Sequence, residues 1–142
     1  MTPTRTTALA SLLILLGAGC GGDGTGTPTP VTPGVERFAG RYTGTYVGDP
    51  DNGTVALTVA TEGTITGTAT DSRFGSGGVV SESSVRNDGT VRLKVTYPSG
   101  DGIPFVTDAR GTMTLSETRL RGVLQEDHGT FTTPLTYELT RS

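Results

Sequence analysis

Apolar or small side chains alternate with polar ones through most of the chain after Phe38. Neighbouring residues of a β-strand point to opposite faces of a sheet, so this alternation predicts strands with one buried and one solvated face. Seven segments show the pattern clearly, and their predicted inward residues are Tyr42, Gly44, Tyr46; Val55, Leu57, Val59; Ile65, Gly67, Ala69; Val91, Leu93, Val95, Tyr97; Gly111, Met113, Leu115; Leu120, Gly122, Leu124; and Phe131, Leu135, Tyr137, Leu139. Val79 to Val85 is predicted to be an eighth, weaker strand.

Short turn motifs separate these segments, which predicts an all-β antiparallel meander of eight strands. Such a meander leaves two exposed edges unless the first strand pairs with the last, so closure into a small up-and-down barrel is favoured. Inward glycines support a barrel because they allow strands to coil sharply. A two-sheet β-sandwich is the alternative. The outward side chains are polar, which argues against an outer-membrane barrel.

Composition limits the remaining choices. The chain of 142 residues allows one domain, and its formal net charge of −3 is scattered, with no basic run that would suggest nucleic acid. Cys20 is the single cysteine, so no intrachain disulfide can form. We expect a monomer stabilised by sheet pairing and one modest apolar core.

Residues 1–19 have the three parts of an export signal: a polar start with Arg5, an apolar stretch from Ala8 to Leu16, and small residues before a cleavage point. The apolar stretch is too short to span a membrane as a helix. Ala18, Gly19 and Cys20 are similar to the end of a bacterial lipoprotein signal, although its leucine stands one position early, at Leu16.

That resemblance implies cleavage before Cys20 and lipid attachment to its sulfur. The protein would then be anchored to a membrane of the bacterial cell envelope and face outside the cytoplasm. Residues 20–36 are rich in glycine, threonine and proline and are expected to form a disordered tether, followed by a β-barrel domain over residues 37–142. Ordinary secretion, with Cys20 incidental, is the alternative.

No motif for catalysis, cofactor binding or metal binding follows Cys20. No serine lies in a nucleophile elbow, which argues against a hydrolase. The run Glu126-Asp127-His128 contains metal-ligating side chains, but neighbours on a strand point to opposite faces, so a polar turn is favoured. The segment from Asp49 to Gly53 lacks the ligand spacing of a calcium loop and is also interpreted as a turn. We therefore predict no enzyme, no cofactor and no metal.

Two features are candidates for binding. Four tyrosines lie in the inward register and are candidate cavity-lining residues: Tyr42, Tyr46, Tyr97 and Tyr137. A barrel of eight strands is either filled by side chains or retains room for one small ligand, and a packed core is the alternative here. The loop from Pro98 to Thr107 carries Ile103 and Phe105, which are expected to form a lid, offer an apolar contact to a partner, or plug the core.

The opening strand, Gly40 to Tyr46, resembles that of calycin barrels, the lipocalins and avidins, which begin with Gly-x-Trp and close the barrel floor with the aromatic residue. The segment from Ile65 to Thr68 is similar to the second hairpin of avidin-like chains. The resemblance implies that Tyr42 is the floor aromatic and that Arg141 packs on it. Tyrosine replaces tryptophan, and no ligand is implied.

These features together predict a non-catalytic envelope lipoprotein. Its tethered barrel is expected to bind a small ligand or another envelope component. The alternative is a structural or protein-interaction module with a filled core.

Overall fold

The structure is a computed structural model that describes residues 34–75 and 77–142. The predicted signal, the predicted lipid-attachment residue Cys20 and the predicted tether up to residue 33 lie outside the described residues. Within the described part of the chain, no helix is long and apolar enough to cross a membrane.

Eight antiparallel strands follow one another and close into a barrel, because the first strand pairs with the last. The predicted fold class is confirmed, and the sandwich alternative is excluded by this closure. A single turn of 3₁₀ helix, Glu36–Phe38, precedes the strands β1 Gly40–Val47, β2 Asn52–Val59, β3 Thr64–Asp71, β4 Gly77–Val85, β5 Thr90–Tyr97, β6 Phe105–Ser116, β7 Arg119–Asp127 and β8 Thr132–Arg141.

Two local predictions at the loops were wrong. Strand β6 begins at Phe105, which pairs with Tyr97, so the end of the predicted loop from Pro98 to Thr107 belongs to the sheet. Phe131 was predicted to point inward, but it lies in the loop before β8 and is 62% exposed. Thr133 takes the inward position there and is buried.

The predicted alternation places the apolar side chains in the barrel interior, where they form one continuous core. Inward glycines allow neighbouring strands to approach closely. A Cβ atom at Gly44 would overlap the carbonyl oxygen of Glu138 on β8, the strand that closes the barrel. Glycine at this position therefore permits the pairing of β1 with β8.

The 3₁₀ helix covers one end of the barrel, called here the closed end. Val35 and Phe38 are buried in the core, so the fold includes residues just before the predicted domain start at residue 37. The Tyr42 hydroxyl donates a hydrogen bond to the Phe38 carbonyl oxygen at 2.9 Å. Arg141 lies over the Tyr42 ring, with its guanidinium carbon 5.2 Å from the ring centroid. The contact that the calycin resemblance implies is present.

Candidate functional site

The opposite end of the barrel brings together buried polar side chains and several aromatic rings. We call it the rim: loops 48–51, 72–75, 98–104 and 128–131, with the strand ends beside them. At the closed end, in contrast, an apolar cavity of only about 10 Å³ lies below Phe38. This volume is far below the roughly 300–1,000 Å³ of small-molecule sites, so the interior there is packed.

The four predicted tyrosines are all buried, but they do not line one cavity. Tyr42 lies at the closed end beneath the 3₁₀ helix. The other three meet near the rim: the rings of Tyr46 and Tyr137 stack with centroids 5.3 Å apart, and the hydroxyl oxygens of Tyr46 and Tyr97 are 3.4 Å apart. Tyr46 therefore contacts both of the other tyrosines, and these three buried side chains occupy the interior near the rim.

Tyr46 is held by a buried carboxylate. Its hydroxyl donates a hydrogen bond to Asp71 Oδ2 at 2.6 Å, and Asp71 Oδ1 in turn accepts one from the Arg73 backbone N–H at 2.7 Å. Burial, followed by the hydrogen bond to Asp71, raises the pKa of Tyr46 far above its usual value. The phenol therefore stays protonated and acts as a fixed donor that connects the core to loop 72–75.

An aromatic stack leads from the core to the rim surface. Phe74 stacks on Tyr97 with centroids 4.8 Å apart, and Phe105 packs on Phe74 at 4.6 Å. The Arg73 guanidinium lies over the Phe74 ring, 4.6 Å from its centroid, in a cation–π arrangement.

Beside this stack, the rim bears an open groove of about 500 Å³ between loops 72–75 and 98–104. Its lining includes Arg73, Phe74, Ile103 and Phe105. Ile103 is 72% exposed and Phe105 is 37% exposed, so neither side chain plugs the core. Both side chains are therefore accessible to a ligand or a partner at the rim.

A second group of polar side chains meets at the rim from two different loops. Asp51 precedes β2, Glu126 is the last inward residue of β7, and His128 follows β7. One ligand atom from each lies within 4.8 Å of the others. His128 Nε2 is 3.3 Å from Glu126 Oε2 and 3.9 Å from Asp51 Oδ2.

These three ionisable side chains are unusually well buried. Asp51 is 1% exposed and Glu126 is 5% exposed. Both Asp51 carboxylate oxygens, Glu126 Oε2 and His128 Nε2 are buried without a hydrogen-bond partner. Arg73 Nη2 lies 2.9 Å from Asp51 Oδ1, close enough for an ion pair although the alignment is not that of a hydrogen bond. Burial, and then the nearby Asp51 carboxylate, raise the pKa of Glu126.

In the sequence, Asp51 and His128 fall in separate predicted turns, and no pattern relates them. As expected for neighbours on a strand, Glu126 is buried and Asp127 is exposed. However, Glu126 and His128 are two residues apart and project to the same side. The signal was present in β7, where Leu120, Gly122 and Leu124 lead in steps of two to Glu126.

Searches against protein-family models, curated proteins and solved structures find no match for this chain.

Proposed function

We propose that this protein is a non-catalytic lipoprotein of the bacterial cell envelope with a calycin-like barrel, and that it binds a small ligand at the rim of the barrel rather than inside it. The observation that carries the proposal is the rim groove, whose volume of about 500 Å³ lies within the range of small-molecule sites. Its lining combines apolar side chains with a guanidinium group, which suits a ligand with an apolar body.

Packing of the interior favours the rim over the usual internal site of a hollow barrel. At the rim end, Tyr46 contacts both Tyr97 and Tyr137, and the closed-end cavity has room for about one water molecule. A ligand in the interior would have to displace the buried hydrogen bond between Tyr46 and Asp71. The groove needs no such rearrangement because it is already open to solvent.

The chain enters the barrel domain at the closed end, which supports a binding site that faces away from the membrane. Gly34, where the described chain begins, lies at the closed end, and Arg37 Nη2 donates a hydrogen bond to the backbone oxygen of Asn87 in the closed-end loop 86–89. An anchor at Cys20 would therefore attach through the closed end. The rim would be the part of the domain farthest from the attachment point, where it can meet ligands or partners in the envelope.

Mass spectrometry of the protein from its native membrane tests the anchor. We expect a mature chain that begins at Cys20 and carries the mass of attached lipid. A free, unmodified Cys20, or cleavage at another position, would rule out the anchor while leaving the rim site untouched.

Native mass spectrometry of the same sample tests the ligand. We expect a fraction of the protein to retain a small molecule, and Ile103→Ser to reduce that fraction because it removes an exposed apolar wall of the groove. The matched control is Val123→Ser, which changes an exposed apolar side chain on the outward face of β7. Equal retention by both variants would exclude the groove as the site.

A protein partner is the second candidate function. Three of the most exposed large apolar side chains belong to the rim: Val47 at the end of β1, Ile103 in loop 98–104 and Phe131 in loop 128–131. Exposed apolar groups gathered at one end are typical of interaction surfaces. Protein adducts at the rim without any bound small molecule would favour this function.

A further inference from the structure

Burial of the polar cluster at the rim costs hydration free energy that hydrogen bonds do not offset at four of its atoms. A buried carboxylate without hydrogen bonds is strongly disfavoured unless a cation or a metal ion compensates it. Asp51 and Glu126 both bring unpartnered carboxylate oxygens to one point, and the unpartnered His128 Nε2 faces the same point. Arg73 pairs with Asp51, and the unpartnered Glu126 oxygen faces the imidazole nitrogen of His128 at 3.3 Å.

Distances within the cluster fit a metal centre. Ligands that bind one Zn²⁺ at roughly 2.0–2.1 Å in a tetrahedral arrangement lie about 3.3–3.4 Å apart. His128 Nε2 and Glu126 Oε2 are 3.3 Å apart, and the Asp51 oxygen is 3.9 Å from the same nitrogen. The three ligand atoms lie within 4.8 Å of one another, so the Asp51 carboxylate would have to move toward the other two ligands to bind the same ion.

The kinds of ligand indicate the kind of metal. Imidazole nitrogen favours Zn²⁺ and related transition metals over Ca²⁺ or Mg²⁺, which prefer oxygen ligands in larger number. Three protein ligands leave one tetrahedral position for water or another donor.

We propose that Asp51, Glu126 and His128 form a binding site for a divalent transition metal of the zinc class at the rim of the barrel. The site goes beyond the proposed ligand groove and does not depend on it. Metal binding would join loop 48–51 to the end of β7 and satisfy three of the four unpartnered atoms: Asp51 Oδ2, Glu126 Oε2 and His128 Nε2.

Neighbouring side chains complete the site. Arg73 pairs with Asp51 Oδ1, which leaves Oδ2 for the ion and holds the carboxylate in place, as outer-shell groups do. The Phe131 ring stacks on the His128 imidazole with centroids 4.8 Å apart and limits its rotation. Arg73 also lies over Phe74 in the groove, so the same side chain touches both sites.

Calorimetric titration with Zn²⁺ tests the proposal on the full chain, purified in detergent, stripped with a chelator and dialysed. We expect one Zn²⁺ per chain and weaker binding of Ca²⁺ and Mg²⁺. His128→Gln and Asp51→Asn should each weaken Zn²⁺ binding by more than about 100-fold, the upper end of the loss seen for outer-shell partners. The matched control is Asp127→Asn, whose exposed carboxyl group points away from the cluster, and it should bind as the unmodified chain does.

Two further measurements separate loss of the site from loss of the fold. The circular dichroism of each metal-free variant should match that of the metal-free unmodified chain. Co²⁺ should give the absorption of nitrogen and oxygen ligands, lost in both cluster variants. Four results would overturn the proposal: no Zn²⁺ binding by the folded unmodified chain, equal binding by the cluster variants, tighter binding of Ca²⁺ than of Zn²⁺, or a Co²⁺–thiolate band that places the ion on Cys20.

Discussion

Tyr42 and Arg141 join the first and last strands of the barrel at its closed end. Arg141 Nε donates a hydrogen bond to the Tyr42 hydroxyl oxygen at 2.9 Å, and the two residues are directly paired in the sheet between β1 and β8. The same hydroxyl donates to Phe38, so one phenol connects the 3₁₀ helix to the seam that closes the barrel.

Removing this arginine is expected to destabilise the barrel. Arg141→Met keeps most of the side-chain volume but deletes the charged hydrogen bonds, which should lower the free energy of unfolding by about 1.5–3 kcal/mol. Urea denaturation followed by circular dichroism measures the change. Arg119→Met, at an exposed position on β7, is the matched control and should unfold close to the unmodified chain. Equal midpoints for the two variants would mean that the Arg141 contact does not stabilise the fold.

Close approach of β8 to β1 at Gly44 gives a second prediction. A methyl group there would overlap the Glu138 carbonyl oxygen, and the backbone of one strand would have to move. Gly44→Ala should therefore lower the free energy of unfolding by about 1–3 kcal/mol, as overpacking does. Gly100→Ala is the control because a Cβ there meets nothing within 4 Å. Equal melting temperatures for both variants would contradict the close packing of the seam.

A charge cluster on the outer wall predicts how stability depends on pH. Arg92 donates hydrogen bonds to Asp108 through Nε and Nη2, the latter at 2.6 Å, and this pairing holds the pKa of Asp108 below its usual value. A lowered pKa in the folded state stabilises the protein above the unfolded pKa of about 3.9, and this contribution is lost as the pH falls further.

Asp108→Asn tests that contribution. At pH 7 the variant should be less stable than the unmodified chain by at most about 1 kcal/mol, since the pair is partly exposed. The difference in melting temperature should shrink as the pH falls below about 4. Glu62→Gln, in an exposed turn, serves as the control. A difference that stays constant down to pH 2 would show that the Asp108 charge is not its cause.

The sequence predicted the strands well because burial in this barrel follows a period of two. Tyr42, Tyr46 and Leu57 could be assigned to the interior from the alternation alone, and closure was favoured because an open meander leaves two exposed edges. Strand β4 was the weakest prediction for a physical reason. Its register shifts between Ser81 and Ser84, where Glu82 has a positive φ of 49°, so the alternation is interrupted by a bulge.

The rim was harder to predict because its contacts join loops that are distant in sequence. Asp51 and His128 come together only when the barrel is closed, and no local pattern relates loop 48–51 to loop 128–131. Phe131 looks like one more inward residue, but the chain turns before β8, and its ring packs on His128 outside the core. Alternation describes strands and does not extend into the loops that connect them.

Photo-crosslinking inside the native host tests most directly the central claim that the barrel binds at its rim. A photoreactive phenylalanine analogue in place of Ile103 should yield an adduct with the added mass of a small molecule, and the same analogue in place of Tyr137, inside the packed core, should yield none. The same analogue in place of Val123, on the outer wall, is the control for random contact. Adducts at position 137 but not at position 103 would place the ligand in the interior and contradict the account.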